Sequence, residues 1–193
     1  MIMLKRLRMS LCRAVLAAFF LALPWPAWAA PAPEDAASLE NQVKAAFLYK
    51  FAGYVDWPST SFAKPDTPLT IGVAGADAVA AELIQAVSGR TVEGRAVTVK
   101  RVKAGESLAG VHILFVGKAE SGRLSQWAQS AQPHSVLVVT ESEGALAQGS
   151  VINFVMADRR VRFEVALDAA EKSKLKLSSR LLAVAQQVKT GTP

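Results

Sequence analysis

Cysteine is almost absent from this 193-residue chain, and its single copy, Cys12, stands before an apolar run near the N-terminus. A cysteine there precedes the run, so it cannot be the lipid-modified residue that follows such a run in a lipoprotein. The remainder of the chain has no disulfide, no thiolate nucleophile and no cysteine-based zinc site, and must be held together by burial alone. Histidine is scarce as well: His112 and His134 each stand alone at the entry to an apolar stretch, with no His, Asp or Glu at ligand spacing. Both read as structural. The G-x-S-x-G nucleophile elbow is missing, as is the G-x-x-x-x-G-K phosphate loop. Gly72-Val73-Ala74-Gly75-Ala76-Asp77 occupies the position of a dinucleotide fingerprint but lacks the G-x-G-x-x-G spacing, so it reads as a tight strand-to-helix turn. Glu141 and Glu143 read as solvated neighbours at the end of a strand. With no constellation of acid, base and nucleophile, binding outranks catalysis, and no catalytic, cofactor or metal residue is assigned.

A membrane-spanning run is missing too. From Ala14 to Leu23 there are about ten strongly apolar residues before Pro24 and Pro26, whereas a span needs roughly twenty. Lys5, Arg6, Arg8 and Arg13 before that run, and Ala27-Trp28-Ala29 after it, make residues 1–29 a secretory signal peptide. Cleavage would leave Ala30 to Pro193, 164 residues, enough for one domain with a sizeable core. The pI of 9.7 then misleads, because losing four basic residues takes 22 to 18 against 16 acidic ones and leaves +2. A nucleic-acid binder keeps a clustered basic excess, so the expectation is a periplasmic protein with no nucleic-acid partner and no membrane insertion of the mature chain.

What remains is an ordinary globular composition, 51% hydrophobic and 20% charged, without repeats or low-complexity blocks. Residues 30–37 lack periodicity and contain two prolines, so they read as a flexible start. Ser38 offers an N-cap to a helix of about four turns with a stripe of Leu39, Val43, Phe47, Phe51 and Tyr54, Lys44 lying on another face. Pro58 requires that helix to end before Trp57. Strands are predicted at 69–74, 96–102, 112–116 and 135–140, with helices at 77–84 and 121–131 between them; this alternation implies right-handed crossovers and a mostly parallel sheet. Residues 151–156 and 160–166 read as an antiparallel hairpin with one solvated face. Asp168 and Glu171 suggest a short helix, and a last helix starts at Ser178 or Ser179 with a stripe of Leu177, Leu181, Val184 and Val188. The fold expected over residues 38–193 is a single three-layer α/β domain, a mainly parallel sheet with helices on both faces and an antiparallel hairpin near the C-terminus.

The segment from Asn41 to Pro58, NQVKAAFLYKFAGYVDWP, resembles the opening signature of the YfiR-like (HmsC-like) periplasmic proteins. Further matches follow in order: Ile71-Gly72-Val73, Gly94 to Val97, His112 to Val116 ahead of Arg123-Leu124, Ile152 to Val155, Arg160 to Val165, and Leu175 to Leu182. Two departures stand out. Many members carry Cys where this chain has Val111, so a family disulfide there cannot form, and many carry Gly where Lys174 stands. The resemblance implies a repressor that binds the periplasmic sensor domain of an inner-membrane diguanylate cyclase and restrains cyclic di-GMP synthesis and biofilm formation. It also implies release by an outer-membrane sequestering protein, and it allows a homodimer that the sequence neither demands nor excludes.

Tyr49, Lys50, Tyr54 and Trp57 cluster at the end of the first helix, where Tyr and Trp serve either as interface anchors or as core. Arg160, Arg162 and Glu164 fall on the solvated hairpin face, and Lys176 and Arg180 flank the last helix. Each of these charges is either a partner contact or simply solvated. The alternative function is a small-molecule-binding module, with its crevice at the carboxyl ends of the parallel strands, near Gly75, Gly117 and Thr140.

Overall fold

A computed structural model describes residues 33–191; the proposed leader and its cleavage site lie outside the described residues. The chain runs α1 (Pro33–Phe51), β1 (Val55–Asp56), β2 (Leu69–Ala74), α2 (Asp77–Val87), β3 (Thr91–Val92), β4 (Arg95–Arg101) and β5 (Ile113–Val116). It continues with α3 (Leu124–Ala131), β6 (Leu137–Thr140), β7 (Ile152–Ala157), β8 (Arg160–Ala166), α4 (Leu167–Lys172), β9 (Lys176–Leu177), α5 (Ser179–Ala183) and β10 (Gln187–Lys189). Eight strands form one sheet in the order β10-β8-β7-β6-β5-β2-β4-β3, antiparallel only at β7–β8 and β3–β4. The expected three-layer α/β fold with its C-terminal hairpin is what the chain adopts.

The buried strands have apolar side chains on both faces because both faces are covered. Ile113, Phe115, Leu137 and Val139 belong to one core with Leu48 and Phe51 of α1 and Leu83 of α2. Their neighbours Leu114, Val116, Val136 and Val138 belong to a second core with Leu124 and Trp127 of α3. The period-two alternation of the strands therefore divides their side chains between two helical layers.

Several local readings need correction. Helix α1 begins at Pro33, not Ser38. Proline suits a first helical turn, where its missing N–H would have no partner anyway, and acidic Glu34 and Asp35 suit the positive end of the helix dipole. The expected stripe holds at Val43, Phe47 and Phe51, which pack into the core, but Leu39 is 61% exposed and Tyr54 lies beyond the helix, while Ala45 and Leu48 also face the core with Lys44 beside them. The last helix stops after Ala183, so Val188 lies in edge strand β10 and Val184 is exposed. Ser178 does cap it, its Oγ accepting from Leu181 N–H at 3.3 Å.

Two positions carry measurable consequences. Lys174 closes α4 in the left-handed region at φ 58°, with its N–H donating to the Glu171 carbonyl at 2.9 Å. A Cβ disfavours that conformation and glycine does not, so Lys174→Gly is expected to raise unfolding stability by about 0.5–1 kcal/mol in urea titrations, relieved strain exceeding the added unfolded-state entropy.

His112 is 1% exposed, its Nδ1 accepting from Thr70 N–H at 3.1 Å and its Nε2–H donating to the Ser61 carbonyl at 3.2 Å, with the ring stacked on Phe62 at 4.3 Å. Burial pushes this imidazole below its ordinary 6.5; the Ser61 carbonyl opposes the shift and the Arg95 guanidinium adds to it. The unfolded chain thus takes up the proton first, so stability from the neutral ring is complete above 6.5 and is lost as pH falls through the depressed folded value. Urea midpoints measured from pH 7.5 downward are expected to decline below 6.5 in the wild type and to follow a shallower slope in His112→Gln.

Candidate functional site

At the C-terminal end of α1 the chain leaves the helix through Gly53 and Tyr54, and the short β1–β9 ladder ties that exit to the segment before α5. Ser178 N–H reinforces the tie by donating to the Tyr54 carbonyl at 2.9 Å. Between α1, α5 and β8 lies a groove of about 390 Å³ floored by Phe47, Phe51, Phe163 and Leu181 and rimmed by Lys50, Tyr54, Arg180 and Val184. Tyr54 and Val184 are 38% and 65% exposed. Neither Lys50 nor Arg180 makes an ion pair among the described residues. An apolar floor between two free cations can seat an apolar or aromatic side chain whose own segment is acidic.

Of the residues singled out in the sequence, Lys50, Tyr54 and Arg180 meet here. The others are elsewhere. The Tyr49 hydroxyl donates to the Thr91 carbonyl at 3.3 Å and its ring lies under the Arg90 guanidinium, toward the far edge of the sheet. Trp57 is half-buried, donating from Nε1 to the His112 carbonyl at 3.3 Å, which makes it packing for the His112 pocket. Arg160, Arg162 and Glu164 alternate with Val161, Phe163 and Val165, so they project from the face of β8 opposite the groove; Lys176 is exposed on β9 opposite Asp56.

A second constellation was not anticipated. Lys44 is 4% exposed, and its ammonium is gripped by the Glu40 and Glu141 carboxylates. Burial alone would lower its pKa, but the hydrogen bonds to Glu141 and Glu40 outweigh that and hold it above the ordinary 10.5. Glu141 also accepts from the Lys118 backbone N–H at 3.0 Å, so it is a half-buried tether and not a solvated strand end. Its signal was obscure because Lys44 and Glu141 are 97 positions apart. Beside them Asn153 accepts from Thr140 Oγ1–H at 2.8 Å and Ser142 N–H at 3.1 Å.

These residues border a cleft of about 400 Å³ where β6 ends at Thr140 while β7 continues past Asn153. Of the three positions where a crevice was expected, Thr140 adjoins this cleft through Glu141 but is itself buried and does not line it. At the other two positions the backbones pack together, and a Cβ on Gly117 would lie 2.5 Å from the Gly75 carbonyl oxygen.

Among the described residues there is no group of three or more His, Cys, Asp or Glu arranged to hold a metal, and no helix long and apolar enough to cross a membrane. The fold is similar to the crystal structure of a conserved domain protein from Vibrio cholerae O1 biovar El Tor strain N16961, with a TM-score of 0.50 at 10% identity over 77% of this chain. The chain spans 60% of the length of that structure. No curated protein matches the chain. Residues 41–186, from the signature in α1 through α5, match the YfiR/HmsC-like family, and the chain belongs to that family.

Proposed function

We propose that the protein is exported by its first 29 residues and represses an inner-membrane diguanylate cyclase by binding the cyclase's periplasmic sensor domain, thereby limiting cyclic di-GMP synthesis and biofilm formation. Family membership supports a periplasmic regulator of diguanylate cyclase in general terms. The observation that carries the finer reading is the groove at the end of α1, which combines an aromatic floor with the unpaired cations Lys50 and Arg180. An interface draws its energy from a few aromatic and arginine anchors, and cations at the rim steer an acidic partner into place.

Repression needs only differential binding. A protein that binds the inactive cyclase a hundredfold more tightly than the active one shifts the equilibrium by about 2.7 kcal/mol. Sequestration by an outer-membrane protein would remove that bias and release synthesis, and a homodimer would present two such grooves. Arg160, Arg162, Glu164 and Lys176 lie away from the groove and would form a separate contact; Tyr49 and Trp57 contribute through packing. The alternative, a small-molecule-binding module, draws on the cleft beside Asn153.

Intracellular cyclic di-GMP is expected to rise when the gene is deleted and to return when the chain is supplied with its own leader. Lys50→Glu with Arg180→Glu, at exposed positions that leave the core untouched, is expected to express and melt like the wild type yet fail to restore the low level. No rise on deletion, with the cyclase expressed, overturns the repressor reading; full restoration by the double variant overturns the assignment of the groove.

A further inference from the structure

The stretch of chain between β1 and β2 is fastened to the sheet by little. None of residues 58–68 is buried, and the segment is held chiefly by two side chains from outside it. The Arg95 guanidinium donates to the carbonyls of Lys64, Pro65 and Thr67 at 3.1, 2.6 and 3.0 Å and lies over the Phe62 ring at 4.0 Å. His112, just before β5, holds the other end through its Nε2–H bond to the Ser61 carbonyl and its stacking on Phe62. A segment with few buried contacts opens at low cost, whereas the central strands beneath it do not.

The His112 ring can hold the segment in one protonation state only. Its Nδ1 accepts from the Thr70 N–H at 3.1 Å, so a proton on that nitrogen sets donor against donor. Thr70 cannot withdraw, because β2 is paired on both sides and the Thr70 carbonyl accepts from the His112 N–H at 2.9 Å. The ring must therefore move, and Ser61 and Phe62 lose their contact with it. Among the described residues no carboxylate pairs with His112. The charged group that acts on the ring is Arg95, a second cation, while the Ser61 carbonyl favours the charged ring but is outweighed by burial. Asp56 of β1, Lys64 and Asp66 of the segment and His134 ahead of β6 are all exposed.

We infer that the 58–67 segment is an acid-released clasp, closed over the neutral His112 ring and opened when that ring takes up a proton, with the sheet beneath it intact. The inference concerns this segment alone and depends neither on the groove nor on repression.

Native-state hydrogen exchange on the purified protein, corrected for the intrinsic pH dependence of exchange, tests the clasp between about pH 7.5 and about pH 4.5. One linked proton raises the open fraction by at most about tenfold per pH unit. Protection of the Thr70, Ser61 and Thr67 amides is expected to decline below 6.5 no more steeply than that, and the amides of Ile113 to Val116 should still be protected when theirs is gone. The midpoint should coincide with the titration of His112 followed through its own ring-proton resonance. His112→Gln stays neutral, so its segment should remain protected at the acid end. Phe62→Ala weakens the half-buried lid without touching the ring, and the His112 midpoint should then move up toward 6.5. Simultaneous loss of protection in the segment and β5, a protected segment around a charged His112, the same acid opening in His112→Gln, or an unmoved midpoint in Phe62→Ala would overturn the inference.

Discussion

The aromatic cluster that seats α1 on the C-terminal hairpin is the contact on which the rest depends. Phe51 lies 5.1 Å from Phe163 and 5.9 Å from Phe154, and Phe47 lies 5.6 Å from Phe163, ring centre to ring centre. Phe154 in turn meets Phe115 of the central sheet at 6.0 Å. A cysteine-free domain has no covalent staple to hold its first helix in place, so this burial, worth about 1.5–3 kcal/mol for each enclosed large side chain, does that work. Because β8 alternates, pulling Phe163 inward turns Arg162 and Glu164 outward. The same packing thus decides which hairpin residues can belong to the groove and which cannot.

The sheet was legible because its strands are short, nearly continuous apolar runs punctuated by glycine and separated by helical stretches. Ile113 to Val116 and Leu137 to Thr140 could be read as central strands since nothing in them would tolerate water. Shorter elements such as β1, β9 and β10 were not legible, because two or three residues carry no period and each exists only by pairing with a distant partner. The buried face of α1 was legible at Val43, Phe47 and Phe51 but not at Leu39 and Lys44, for a related reason. Leu39 fits the helical stripe but lies one turn before the sheet begins to cover the helix, whereas Lys44 is buried because Glu141 comes to meet it.

The sites divide along the same line. Lys50 and Tyr54 could be picked out as neighbours near the end of one helix, and Arg180 as a cation flanking another. Their convergence depends on the β1–β9 ladder, which no local pattern announces. The cleft was less accessible still. Glu141 and Glu143 looked like solvated carboxylates, and Asn153 looked like one polar residue in a hairpin; only the register Thr140↔Asn153 brings them together.

Both surfaces are built on α1, the cleft on its Glu40–Lys44 turn and the groove on its last turn at Lys50. Lys50 follows Lys44 by six positions, about 9 Å along the axis. Proximity on one helix is not coupling, since an effect on partner affinity requires two arrangements of α1 that ligand and partner favour unequally. The Lys44 clamp bears on whether such arrangements exist. An ammonium held by two carboxylates in a nearly dry setting resists sliding of the helix, because any displacement that breaks one contact exposes a buried charge to a poor environment. The aromatic contacts of Phe51 lack that directionality and tolerate small rotations. Motion that served regulation would therefore pivot at Lys44 and be felt at the groove, whose rim includes Lys50 and Tyr54.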